Sequence, residues 1–137
     1  MTMDVQPVTP TTQIKPAAAA RILIADDDPS SRELLRSILE SSGYEVVEAE
    51  DGVQVMEIAP DFAPDLVILD IQMPKMDGLQ AAKALRNIST FEKTPIVALT
   101  AASSRLLPAD ISQSGFTSYL VKPIGPAKLR QCVSDLL

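Results

Sequence analysis

The chain has 137 residues, of which 46% are hydrophobic, and it carries a formal net charge of −6 at pH 7. This length is enough for one domain with a buried core, whereas the acidic balance argues against binding to nucleic acid or to anionic membranes. The chain has no histidine, which excludes Ser-His-Asp, Cys-His and histidine-ligated metal chemistry, and its single cysteine fits a reducing, cytoplasmic compartment.

The first 20 residues differ in composition from the rest of the chain. They contain three prolines, four threonines and a run of alanines, without any hydrophobic period. We therefore predict a disordered or loosely attached tail at 1–20 and one folded domain at 21–137. No stretch of the sequence approaches the roughly 20 apolar residues that a transmembrane helix needs.

From Arg21 onward, short apolar runs alternate with amphipathic segments. Strands are predicted at 22–25, 44–49, 66–69, 95–100 and 117–121. Helices are predicted at 29–42, 52–59, 78–88 and 126–137, with a further helix that begins or bends near Pro108. Asp28 is the expected N-cap of the first helix, Pro29 its first residue and Gly43 its stop.

The positions of proline and leucine residues predict where one helix ends and which helix faces point inward. Pro60 is expected to end the second helix, because proline lacks the N–H that a helix interior needs. Two apolar helix faces are expected to point inward, one made of Leu34, Leu35, Ile38 and Leu39 and the other of Leu79, Ala82, Leu85 and Ile88. Cys132 lies on the apolar side of the last helix, where packing explains it.

Five apolar strands that alternate with helices predict a doubly wound parallel sheet with helices on both faces. Such a fold places its site beyond the carboxyl ends of the strands, at the point where the strand order reverses. Polar residues follow the strands at that edge: Asp26, Asp27, Asp70, Thr100 and Lys122.

Three carboxylates in one crevice cannot all stay ionised without a cation. Because all candidate ligands are oxygens, the sequence predicts a hard divalent ion, Mg²⁺ or alternatively Mn²⁺, near Asp26, Asp27 and Asp70. An aspartate beside such an ion and a lysine is well placed to accept a phosphoryl group.

Four motifs, ILIADDDPSSRELL, PDLVILDIQMPKMDGL, PIVALTA and SYLVKPI, occur in this order. Together they resemble the receiver domains of two-component response regulators, and the resemblance runs from Arg21 to Leu137. It implies a flavodoxin-like α/β fold with five parallel strands in the order 2-1-3-4-5, and a single-domain receiver.

The resemblance assigns the acidic residues and their neighbours. Asp70 matches the phosphoacceptor, and Asp27 matches the direct metal ligand. Asp26 matches the acid that acts through metal-bound water, and Gln72 would give its backbone carbonyl to the metal.

The resemblance also assigns the switch. Thr100 matches the switch hydroxyl, Lys122 the lysine that pairs with the phosphoryl group, and Tyr119 the aromatic that turns inward on activation. The bond between Lys122 and Pro123 is expected to be cis, and Pro108 departs from the family pattern in the fourth helix.

The function implied is a signalling switch that catalyses only its own phosphorylation and dephosphorylation. A sensor histidine kinase or histidine phosphotransfer protein would donate the phosphoryl group, and a downstream protein target would receive the signal by contact. The protein is expected to be a monomer or a weak, phosphorylation-dependent dimer.

Three alternatives are weighed against this function. The chain can be the receiver module of a larger hybrid kinase or phosphorelay. A phosphohydrolase of the haloacid-dehalogenase type would need an aspartate where Gln72 stands. A flavodoxin would need a Ser/Thr/Gly-rich loop where Asp26 and Asp27 stand, and those acids would repel FMN phosphate.

Overall fold

The computed structural model describes residues 19–106 and 108–137, and these form a three-layer α/β domain. Five parallel strands lie in the order β2-β1-β3-β4-β5, as predicted. The strands are β1 (Arg21–Ala25), β2 (Glu45–Ala49), β3 (Leu66–Asp70), β4 (Ile96–Thr100) and β5 (Ser118–Val121). The helices are α1 (Pro29–Ser41), α2 (Gly52–Phe62), α3 (Gly78–Arg86), α4 (Pro108–Gln113) and α5 (Pro126–Leu136), with a 3₁₀ turn at Ser89–Phe91.

The sheet is buried on both faces because successive side chains of each strand point to opposite sides. In β1, Leu23 belongs to the core on the α2, α3 and α4 side, whereas Ile22 and Ile24 belong to the core on the α1 and α5 side. All of β3 and β4 is buried, which explains why these segments are continuous apolar runs.

The helix starts are set by acidic caps. The Asp28 side chain accepts a hydrogen bond from the Ser30 N–H at 3.1 Å, which confirms its predicted role. Asp77 forms a capping box with Gln80 at the start of α3. These caps define the points at which the chain leaves the carboxyl edge of the sheet.

The prediction that Pro60 ends α2 is wrong, because the helix continues through Pro60 to Phe62. Pro60 lies in the last turn, where its missing N–H removes a single intrahelical hydrogen bond and few residues follow to be displaced. The helix stops instead at Ala63, which adopts a left-handed conformation with φ 52° and donates its N–H to the Ala59 carbonyl.

Leu34 does not share the inward face of α1 as predicted, since it is 57% exposed. The other three members of that face, Leu35, Ile38 and Leu39, are buried. Leu34 lies at the edge of the stripe centred on Leu35, and its side chain borders a surface groove instead of the sheet.

The remaining helices match the predictions closely. Helix α3 ends two residues early, at Arg86, yet Leu79 and Ile88 still pack against the core. Helix α4 begins at Pro108, as expected, and is only six residues long. Cys132 is half-buried and packs against the core beneath α5.

The predicted tail at 1–20 falls almost entirely outside the described residues, as does Leu107. Within the described ranges, no helix has the length and apolar character needed to cross a bilayer.

Candidate functional site

The carboxyl ends of β1 and β3 lie side by side at the centre of the sheet, and their connections leave toward opposite faces. Asp26 follows β1 directly, and Asp70 is the last residue of β3. Lys122 follows β5 and reaches across β4 to both acids. The order of the strands in the sheet therefore brings residues that are far apart in the chain into one crevice.

Lys122 joins the two buried carboxylates. Its Nζ lies 2.7 Å from Asp70 Oδ2 and 3.1 Å from Asp26 Oδ2. Asp26 is fully buried and Asp70 nearly so, while 31% of the lysine side chain is exposed. One ammonium thus compensates two carboxylates, which leaves this group of three side chains with a net negative charge.

The second oxygen of each buried acid is held by the backbone. The Asp28 N–H donates to Asp26 Oδ1 at 2.9 Å, and the Gln72 N–H donates to Asp70 Oδ1 at 3.0 Å. Every oxygen of the two carboxylates therefore has a donor, and their orientations are fixed before any ligand arrives.

Burial raises the pKa of the Asp70 carboxyl above its ordinary value, and the charge of Asp26 acts in the same direction. The hydrogen bonds from Lys122 and Gln72 oppose this rise. For Lys122, burial alone would lower the pKa, but the hydrogen bonds and charges of Asp70 and Asp26 outweigh it and raise the pKa. The lysine is therefore held in its charged form.

Asp27 completes an acidic cluster at the mouth of the crevice. It is exposed, and one carboxylate oxygen each from Asp26, Asp27 and Asp70 lie within 4.8 Å of one another. A set of three carboxylates without nitrogen or sulfur ligands suits a hard divalent cation such as Mg²⁺. The donor set of this cluster therefore fits the predicted ion, and the metal role of the Gln72 carbonyl stays a prediction.

The two predicted switch residues lie in different places. Thr100 ends β4, is buried, and lines a cavity of about 590 Å³ together with Asp70 and Lys122. Among the described residues, its hydroxyl makes only a long contact, 3.5 Å, to the Ala101 carbonyl. Tyr119 lies on β5 with 41% of its surface exposed, and it does not border this cavity.

Two residues support the site, and one of them, Arg32, was missed by the sequence analysis. Arg32 donates from Nη1 to the Asp26 carbonyl at 2.8 Å and from Nε to Glu48 at 3.0 Å, so it ties the β1–α1 loop to β2. A Cβ on Gly78 would lie 2.4 Å from the Asp70 carbonyl oxygen. The Arg32 contacts have no signal in the sequence, because they depend on how distant segments approach each other.

The peptide bond between Lys122 and Pro123 is cis, as expected. It lies directly after the side chain that bridges the two buried acids.

Comparison with known proteins agrees with this geometry. The chain is 42% identical over 129 residues to the transcriptional regulatory protein PdtaR of Mycobacterium tuberculosis. The match covers 93% of this chain but only 58% of the length of that relative. The structure superposes on the chemotaxis response regulator CheY4 of Vibrio cholerae with a TM-score of 0.83 and 34% identity, covering 88% of this chain and 100% of the other.

A third similar protein is the receiver domain of sensor histidine kinase PA1611 from Pseudomonas aeruginosa, with a TM-score of 0.80 and 29% identity. This match covers 87% of the chain and 98% of that domain, which has a magnesium ion coordinated in its active-site cleft. The family model described as "Response regulator receiver domain" matches residues 22–134 of this chain. By this match, its strand order and its acidic crevice, the chain belongs to the response regulator receiver domains of two-component signalling.

Proposed function

We propose that the chain is a phosphorylation-activated switch in which Asp70 accepts a phosphoryl group from a phosphohistidine on a partner protein. Receiver domains are signalling modules that interact with histidine kinases or phosphotransfer proteins. The observation that carries the proposal is the environment of Asp70. Its carboxylate ends a buried strand, is oriented by Lys122 and the Gln72 N–H, and faces an open cavity beside two further acids.

The proposed transfer is a displacement at phosphorus. A carboxylate oxygen of Asp70 forms the new P–O bond while the P–N bond of the phosphohistidine breaks. The imidazole nitrogen keeps the electron pair of the broken bond and takes up a proton. Since the given sequence has no histidine, the phosphohistidine that donates the group lies outside it.

Lys122 acts on charge during this transfer. Its ammonium lies 2.7 Å from Asp70, so it is positioned to attract the oxygens of a phosphoryl group that arrives on that carboxylate. The contact between Lys122 and Asp26 would then hold the ammonium in place as its partner changes from carboxylate to acyl-phosphate.

We further propose that Asp26, Asp27, Asp70 and the Gln72 carbonyl hold Mg²⁺, with Mn²⁺ as the alternative. When bound, the ion supplies positive charge to the transferred phosphoryl group. Three carboxylates and one lysine leave the crevice with a formal charge of −2, which a dication neutralises. The magnesium reported in the PA1611 receiver domain supports this choice of ion.

Thr100 and Tyr119 are the proposed switch. A phosphoryl group on Asp70 offers new acceptor oxygens to the weakly engaged hydroxyl of Thr100. The movement of that hydroxyl toward Asp70 leaves space that the exposed Tyr119 can fill by turning inward. Such a change is a shift between two conformations, biased by the contacts that one of them makes to the phosphoryl group.

The switch is testable by NMR with beryllofluoride, which stands in for the phosphoryl group on Asp70. Chemical-shift changes are expected to concentrate in β4, β5 and the adjacent helices, including Tyr119. Thr100→Ala should still bind beryllofluoride but show a smaller change at Tyr119. An unchanged Tyr119 signal in the wild type would remove this residue from the switch.

The proposed partners are a sensor histidine kinase or a histidine phosphotransfer protein in the cytoplasm, and a downstream protein that recognises the phosphorylated form. A monomer or a weak, phosphorylation-dependent dimer is the proposed oligomeric state. Similarity to the receiver domain of a sensor histidine kinase supports a second setting, as a module of a larger hybrid kinase or phosphorelay with the same chemistry. The match to the receiver family favours this function over the phosphohydrolase and flavodoxin alternatives.

Phosphorylation is tested with acetyl phosphate as donor. Incubation with Mg²⁺ should add one phosphoryl group to the wild type, as measured by intact-mass spectrometry, and chelation of the metal should prevent it. Asp70→Asn should not be labelled, whereas Asp61→Asn, the same change at an exposed position of α2, should be labelled normally. Labelling of Asp70→Asn at the wild-type level would overturn the proposal.

A further inference from the structure

The cavity beside Asp70 has room for more than a phosphoryl group. Its volume of about 590 Å³ is many times the roughly 30 Å³ share of one water molecule. Asp70, Thr100 and Lys122 line it at the carboxyl edge of the sheet. The remaining space is available to the body of a phosphodonor.

Part of the cavity lining comes from the segment between β4 and α4. Because α4 begins only at Pro108, residues 101–106 are not helical. Ser103, Ser104, Arg105 and Leu106 of this segment border the cavity. The late helix start therefore places a stretch of chain with two hydroxyls and one guanidinium in the lining of the cavity that Asp70 also borders.

Arg105 differs from Lys122, the other basic residue of the cavity, in its contacts with acidic residues. Lys122 is bound by the carboxylates of Asp26 and Asp70. Arg105 is exposed and makes no hydrogen bond or ion pair with any other residue in the described parts of the chain. Among the described residues that line the cavity, Arg105 and Lys122 are the two basic ones.

A phosphodonor approaching Asp70 meets unfavourable charge, since it is a dianion and Asp27 and Asp70 lie on its path. A guanidinium in the lining of the same cavity offsets this repulsion, and it offers paired N–H donors that match the oxygens of a phosphoryl group. Neither benefit requires Arg105 to take part in bond formation.

We propose that Arg105 binds the phosphoryl oxygens of the incoming donor and positions it for transfer to Asp70. This inference rests on the proposed phosphoacceptor function. Arg105 acts before transfer, on donor binding, and it has no role in holding the metal ion. Its contribution is therefore expected in the second-order rate of phosphorylation and not in Mg²⁺ binding.

The test measures the second-order rate constant for phosphorylation by acetyl phosphate in saturating Mg²⁺. Removal of one positive charge near a dianion predicts a rate about three- to tenfold lower for Arg105→Gln. Arg105→Lys keeps the charge but loses the paired donors, so its rate should lie between those of Arg105→Gln and the wild type. Lys93→Gln removes the same charge from an exposed site at the opposite end of β4 and should leave the rate unchanged.

Two further readouts separate this role from a structural one. The rate difference between the wild type and Arg105→Gln should shrink at about 1 M salt, where charges are screened within roughly 3 Å. The Mg²⁺-induced rise in melting temperature should be the same for both proteins. Equal rates for the wild type and Arg105→Gln, or an equal loss in Lys93→Gln, would overturn the inference while leaving Asp70 as acceptor. Absence of labelling in the wild type would overturn the proposed function and this inference with it.

Discussion

Replacing Asp27 by Asn is expected to make the metal-free protein more stable, although the substitution removes a side chain from the site. Oxygens of Asp27, Asp26 and Asp70 lie within 4.8 Å of one another. At that separation two negative charges repel by about 1 kcal/mol even at the permittivity of water, which is appropriate because Asp27 is exposed.

Loss of the Asp27 charge removes two such repulsions and also some attraction to Lys122. We therefore expect a net gain of about 1 kcal/mol in the free energy of unfolding, or about 4 °C in melting temperature. The result should reverse with metal. At a Mg²⁺ concentration about ten times the dissociation constant, binding stabilises the wild type by about 1.4 kcal/mol, and the variant should lack this gain.

Thermal melts followed by circular dichroism, with Mg²⁺ or with chelator, measure both effects. Asp61→Asn is the matched control, because it makes the same substitution at an exposed position of α2, away from the crevice. The electrostatic reasoning would be refuted by an Asp27→Asn protein that is less stable than the wild type in chelator. A wild-type Mg²⁺ response in that variant would refute the ligand role of Asp27.

Two further predictions concern the support of the site. Gly78→Ala should cost about 1 to 3 kcal/mol of stability in a denaturant titration and slow phosphorylation, because its Cβ would lie 2.4 Å from the Asp70 carbonyl oxygen. Burial would raise the pKa of Glu48, but the hydrogen bonds that Arg36 and Arg32 donate to this carboxylate outweigh burial and lower the pKa below 4.5. The charged carboxylate therefore adds stability above this pH. Glu48→Gln should thus be about 1 kcal/mol less stable at pH 7, with the difference fading as the pH falls below about 4, and a difference that persists at pH 2 would contradict the reasoning.

The order of elements and the edge that carries the site could be predicted from the sequence. Continuous apolar runs such as LVIL at 66–69 are long enough for strands and too short for helices. Once the strands are parallel, residues that follow them must gather at one edge of the sheet, as Asp26, Asp70 and Lys122 do. The place of the acids could therefore be predicted from the strand order alone.

Local packing was harder to predict because it depends on tertiary contacts. Pro60 was expected to end a helix, but the penalty for proline is small in a last turn, and only the structure shows that the turn is the last. Leu34 was expected in the core because its spacing fits an apolar stripe. The width of that stripe is set by how α1 sits on the sheet, which the periodicity does not contain.

The residues that support the site were not predictable for the same reason. The contact of Arg32 with the Asp26 carbonyl joins α1 to the end of β1, and arginine at that helix position reads as an ordinary surface residue. The place of Arg105 in the cavity that Asp70 borders depends on the course of a non-helical segment. The sequence predicted a helix that begins or bends near Pro108. It did not predict the direction in which the side chains before that residue point.

The most direct test of the account is to identify the residue that carries the phosphoryl group. Borohydride reduces an acyl-phosphate to an alcohol, so Asp70 should be recovered as homoserine in peptide mass spectrometry after treatment with acetyl phosphate and Mg²⁺. The account predicts homoserine at position 70 alone, and none when the metal is chelated. Reduction at Asp26 or Asp27 instead, or equal labelling without a divalent ion, would contradict it.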